Sequence, residues 1–137
     1  SWKQPLLDSG FKTDQPSVWI MEGLLMYLSD ADIHKLFAAV AELAAPSSLV
    51  VAQHGGMAQT QQTTSTFHKA HQEINAPIQS WFLFEDFEKV LTGYGMKNVK
   101  KVTAYEMGEW AVKRLEEVHA NPEEVNKGYY LVLAEKA

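Results

Sequence analysis

The sequence contains no cysteine. That excludes a disulfide framework, a thiolate nucleophile and a zinc–thiolate site, and it fits the cytoplasm. Long apolar runs are missing as well. The longest candidate, residues 36–52, is broken by Glu42 and Pro46, and a membrane helix needs about 18 uninterrupted residues. No cationic stretch followed by an apolar core opens the chain, so no secretory signal is expected. Basic charge is scarce: 12 Lys and Arg stand against 17 Asp and Glu, for a net charge of −5. That balance argues against a general nucleic-acid binder. The small basic cluster Lys97, Lys100 and Lys101 reads as a solvated strand face. No internal repeat is visible.

What is present is ordinary globular composition. The chain of 137 residues is 46% hydrophobic and 21% charged, which suits one domain. A domain of that size buries roughly two thirds of its unfolded surface. Trp2, Leu6 and Leu7 share one face of a short helix that Gly10 stops, and Phe11 packs back on it. Residues 13–16 form a turn. Residues 17–21 read as the first strand, and Val18 to Met21 are apolar without alternation, the pattern of a strand buried on both faces.

Ser29 and Asp32 resemble a capping box, with Asp shorter than the usual Glu. Ile33, Leu36, Phe37, Val40, Leu43 and Ala44 follow at helical spacing, and Pro46 closes that helix. Residues 48–53 make a second strand, so strand, helix and strand form a parallel crossover. His54, Gly55 and Gly56 then leave the strand as a loop. A polar helix is expected over residues 64–74 and is broken at Pro77. Phe84, Phe87, Val90, Leu91 and Tyr94 keep helical spacing up to Gly95, a natural stop. Residues 97–105 read as a strand, 109–119 as a short helix and 128–135 as a last strand.

The stretch Pro16-Ser-Val-Trp-Ile-Met-Glu-Gly-Leu-Leu-Met-Tyr-Leu28 carries the sharpest signal. In open α/β sheets ligands sit outside the carboxyl ends of the strands. Glu22 is therefore where such a sheet puts a working carboxylate, and Gly23 lets the backbone turn or approach a ligand closely. The stretch resembles the middle of the leucine carboxyl methyltransferase family, which includes polyketide-type O-methyltransferases that use S-adenosylmethionine. Ser1-Trp-Lys-Gln-Pro-Leu-Leu-Asp-Ser-Gly-Phe11 is similar to that family's lead-in to the central strand. The resemblance is specific over residues 1–51 and architectural over residues 81–137.

The resemblance implies the carboxyl-terminal half of a class I methyltransferase fold. The expected fold class is α/β: a partial Rossmann-like fold in which a small mixed sheet of two parallel strands and a carboxyl-terminal antiparallel pair is flanked by helices. It also implies S-adenosylmethionine as cofactor, with Glu22 and Gly23 on the cofactor side. The family's glycine-rich loop and its ribose-binding acid are not found in these 137 residues. Gly93 and Gly95 follow a helix instead of a strand, and Asn98 stands where a third glycine would fall.

Each candidate residue has a plain structural alternative. Glu22 either binds the cofactor's ammonium, as the resemblance implies, or caps the strand end by bonding local backbone. Tyr27 either lines an acceptor pocket or is a core tyrosine with a satisfied hydroxyl. His54, at the ligand end of the sheet, is either a general base or a loop histidine. Trp81, with Phe82, Phe84 and Phe87, either rims a pocket for an apolar acceptor or packs in the core, and core packing is the favoured reading. His68 and His71 lie three apart near Glu73, but two histidines are too few for a metal, so a solvated helix is expected and no metal site.

Two functions follow. The first is an S-adenosylmethionine-dependent O-methyltransferase part that requires a partner chain or a second copy to supply the glycine-loop half. The second is a self-assembling binding module without the cofactor. In both, the strand Val18–Met21 lacks a neighbour on one edge and no lysine or proline blunts it, so a homodimer through that edge is expected. Neither nucleic acid nor membrane is an expected partner.

Overall fold

The computed structural model describes residues 2–55, 66–80, 82–103 and 129–137, together with positions 106, 108, 113, 116 and 117. The expected helix over 109–119 and Trp81 lie outside these residues, apart from the isolated positions just named. The chain begins with helix α1 (Lys3–Asp8), strand β1 (Val18–Met21), a 3₁₀ turn (Leu25–Tyr27) and helix α2 (Asp30–Leu43). Strand β2 (Leu49–Gly55), helix α3 (Thr66–Glu73), helix α4 (Phe84–Gly93), strand β3 (Met96–Thr103) and strand β4 (Tyr129–Lys136) follow.

The four strands form one sheet in the order β1-β2-β4-β3. β1 and β2 are parallel, and Val18 pairs with Leu49 and Met21 with Ala52. β4 runs antiparallel to both of its neighbours, so the carboxyl-terminal pair is joined to the parallel pair through its second member. This is the expected α/β architecture with a mixed sheet.

Helix α2 forms where the apolar spacing requires it. The Ser29 hydroxyl accepts from the Asp32 amide at 3.2 Å and donates to the Asp32 carboxylate at 2.8 Å. The cap satisfies a free amide there, and the acids Asp30 and Asp32 in the first turn face the positive end of the helix dipole. Bonds from Ser29 and Lys35 hold the Asp32 carboxyl below its usual range. Ile33, Phe37, Val40 and Leu43 are buried on one face. Helix α4 adds Phe87 and Leu91, and the Phe37 and Phe87 rings meet edge to face at 5.6 Å. Gly95 ends that helix at φ 77°, a conformation costly for any side chain.

Several boundaries differ from expectation. β1 is not buried on both faces: Trp19 and Met21 turn toward the helices, while Val18 is 60% and Ile20 70% exposed. The second strand does not stop at Gln53. It continues through His54 and Gly55, which pair with Tyr130 and Tyr129, so His54 is a strand residue and not a loop histidine. The basic cluster does not share one face. An irregularity between Lys97 and Lys100, with Asn98 at φ 52°, puts Lys97 beside Glu135 and Lys100 beside Leu133. Lys101 falls on the other side, its ammonium 5.7 and 5.5 Å from the Phe84 and Tyr130 ring centres. A β-bulge has this effect because one extra residue reverses the alternation.

Candidate functional site

The carboxyl ends of the parallel strands hold most of the candidates. β1 ends at Met21, and Glu22 follows, exposed. Gly23 adopts φ 59°, the left-handed turn that a glycine takes without strain. The Gly23 amide donates to the Gln53 side chain at 3.0 Å, which ties the turn to the end of β2. Among the described residues no hydrogen bond or ion pair engages the Glu22 carboxylate.

Beyond Gly23 the chain closes the 3₁₀ turn and presents Tyr27, half-buried, with its ring centre 6.0 Å from that of His71 on α3. The side chain of His68 is not among those described. Among the described residues no group of three or more His, Asp and Glu side chains is placed to hold a metal.

His54 lies deeper. Its side chain is fully buried and enclosed edge-on by Phe82, Phe87 and Tyr130, at ring distances of 5.8, 5.3 and 6.2 Å. Nε2 is 3.2 Å from the hydroxyl of Ser80, also buried, and Nδ1 has no hydrogen-bond partner among the described residues. Burial disfavours the charged imidazolium and lowers its pKa to about 4. His54 is therefore neutral near pH 7. A group sealed by three rings cannot reach a solvent-side acceptor in this arrangement, so the geometry does not favour the general-base reading.

Three residues that the spacing gave no reason to select complete the picture: Gln53, Gln79 and Ser80. The Gln79 amide donates to the Met26 carbonyl at 2.8 Å, and its side-chain amide donates to the Tyr27 carbonyl at 2.6 Å. Register and the path of residues 76–80 create these contacts, and neither is readable from local spacing.

A separate groove of about 610 Å³ opens between α1, the turn and α2, lined by Trp2, Leu24, Leu28 and Leu36 among others. Leu24, which follows Gly23, and Leu28, which follows Tyr27, border it.

Residues 1–41 match the leucine carboxyl methyltransferase family. The chain resembles that family. Over 49 residues it is 45% identical to a protein of Mycobacterium avium named as a candidate S-adenosyl-L-methionine-dependent methyltransferase. That match takes in 36% of this chain and 16% of the relative, so the chain aligns to about a sixth of that protein's length. Among solved structures, a DUF574-family protein from Streptomyces avermitilis superposes with a TM-score of 0.65 at 14% identity, over 98% of this chain and 52% of that one. An S-adenosylmethionine-dependent methyltransferase from Archaeoglobus fulgidus superposes at 0.59 with 16% identity, over 99% of this chain and 66% of that one. At such identities these two establish the methyltransferase fold. The family match covers α1, β1, the Glu22–Gly23 turn and most of α2, the elements that build the exposed end of the site.

Proposed function

We propose that these residues form the Glu22 side and the acceptor side of an S-adenosylmethionine-dependent O-methyltransferase of the cytoplasm. The observation that carries this reading is Glu22. Its carboxylate is exposed at the carboxyl end of β1 and has no bonding partner among the described residues, on a turn fixed by Gly23 and Gln53, inside the stretch that matches the family. An exposed carboxylate there is chemically suited to the ammonium of a methionine moiety. The cofactor, when bound, supplies an electrophilic methyl group. Glu22 would hold its amino-acid end, Gly23 would allow close approach of the backbone, and Tyr27 would face the acceptor.

The glycine loop and ribose acid that such a site requires come from polypeptide outside these 137 residues, or from a partner chain. One charge-assisted contact does not offset the cost of immobilising a ligand, so the 137 residues alone are expected to bind S-adenosylmethionine only feebly. Calorimetry tests this. A micromolar constant for these residues alone would overturn the division of the site. In any form that binds the cofactor, Glu22→Gln should weaken it by at least about 1 kcal/mol, since a charge-assisted bond becomes a neutral one. An affinity left untouched by that change removes Glu22 from the site.

A second reading, a self-assembling binding module without the cofactor, has its own observation. Among the described residues no strand pairs with the outer edge of β1, and Val18 and Ile20 are exposed beside it. Trp2 and Phe11 meet the Trp19 ring at 6.1 and 5.4 Å, on the helix-covered face. An unpaired apolar edge invites a second strand, and a two-fold homodimer is the simplest closed arrangement. Sedimentation at micromolar concentration that gives only the monomer mass would remove this reading.

A further inference from the structure

We propose that His54 is a positioning residue, which through Ser80 latches Gln79 and Ser80 against the turn that carries Tyr27. The proposal rests on Tyr27 facing the acceptor, and it assigns a role to two buried groups which that reading leaves unused.

The latch runs from the sheet outward. His54 on β2 meets the Ser80 hydroxyl at 3.2 Å, and the Tyr130 hydroxyl on β4 donates to the Phe82 carbonyl at 2.7 Å. Two neighbouring strands thus grip one short segment from beneath. The same segment grips the turn. The Gln79 and Ser80 amides both donate to the Met26 carbonyl, at 2.8 and 3.3 Å, and the Gln79 side chain donates to the Tyr27 carbonyl at 2.6 Å. Residues 76–80, 82 and 83 have no regular secondary structure, so these bonds and the burial of Ile78 fix their path.

The chemistry of His54 fits holding better than proton transfer. Its ring is enclosed by aromatic edges, and its one polar contact among the described residues is a hydroxyl that serves as donor or acceptor to either neutral tautomer. A buried histidine used only for packing could be replaced by an apolar residue without loss. Retaining an imidazole whose Nδ1 has no partner among the described residues costs stability, and the bond to Ser80 is what it gains.

The test uses the 137-residue chain and three variants, Ser80→Ala, His54→Leu and His54→Gln. Amide hydrogen exchange is read at Gln79 and Ser80 and compared with Val50 and Val132 in the sheet. The nuclear Overhauser contact between the Tyr27 and His71 rings reports where Tyr27 sits. Ser80→Ala and His54→Leu should each speed exchange at Gln79 and Ser80 by about tenfold relative to the sheet and should abolish the ring contact. His54→Gln, whose amide reaches the place of Nε2, should keep both near the wild type. Unchanged exchange and an intact ring contact in Ser80→Ala would overturn the latch. So would exchange that rises equally at Val50 and Val132, since that is a loss of global stability alone. Glu22→Gln should leave every one of these signals unchanged, so failure of the cofactor reading and failure of the latch give different results.

Discussion

The two faces of the sheet are built from the same strands and have opposite fates. Along β2, Val50 is 1% exposed, while its neighbour Leu49 is 47% exposed. The first face carries Trp19, Met21, Val50, Ala52, His54, Tyr130 and Val132 and is sealed by α2 and α4. The second carries Val18, Ile20, Leu49 and Leu133, all exposed. Apolar residues on both sides of a strand are the usual mark of a sheet covered on both sides. Among the described residues only one cover exists. The residue pattern therefore encodes a demand for burial that the described helices meet on one side, and every feature assigned to the latch lies on that side.

Breaking the sealed face should have the largest effect. Phe87 is fully buried against Phe37, Phe82 and His54, so Phe87→Ala should cost about 3–5 kcal/mol in chemical denaturation. A loss below about 1 kcal/mol would mean that this face is packed no better than the other.

Acid sharpens the same contrast. His54 titrates at about 4 in the folded chain, against 6.5 ordinarily, so below pH 6.5 the unfolded chain takes up a proton that the folded chain refuses. Stability should fall as the pH drops from 6.5 and the effect should level off near 4, for a total of about 3 kcal/mol. Phe82, Phe87, Tyr130 and Ser80 face the imidazole, and the Tyr130 hydroxyl, pushed upward by burial, stays neutral throughout. Denaturation of His54→Gln across this range should lack that component.

A smaller effect is expected where the helical cover begins. Ser29→Ala removes the cap of α2 and should cost about 1 kcal/mol, measured by thermal melting. The open face should respond least. Ile20→Thr at a position 70% exposed should change monomer stability by no more than about 0.5 kcal/mol. If copies pair through β1, the same substitution should weaken self-association in sedimentation, and that difference separates an interface from an idle surface.

Local sequence was enough for much of this. The spacing of Ile33, Phe37, Val40 and Leu43, with Ser29 ahead of them, defines α2 because a helix places such residues on one face whatever surrounds it. Glu22-Gly23 at the end of an apolar strand was legible because chain direction alone puts it at the ligand end. What the chain could not declare locally was which side of each strand would be covered. Val18 and Trp19 are both apolar, and only the placement of α1 and α2 over one face makes the first exposed and the second half-buried. His54 passed for a loop residue because two glycines follow it, until antiparallel pairing with Tyr130 drew it into the strand and under three aromatic rings. Its bond to Ser80 joins residues 26 positions apart, and a contact of that range exists only once the sheet register and the path of residues 76–80 are fixed together.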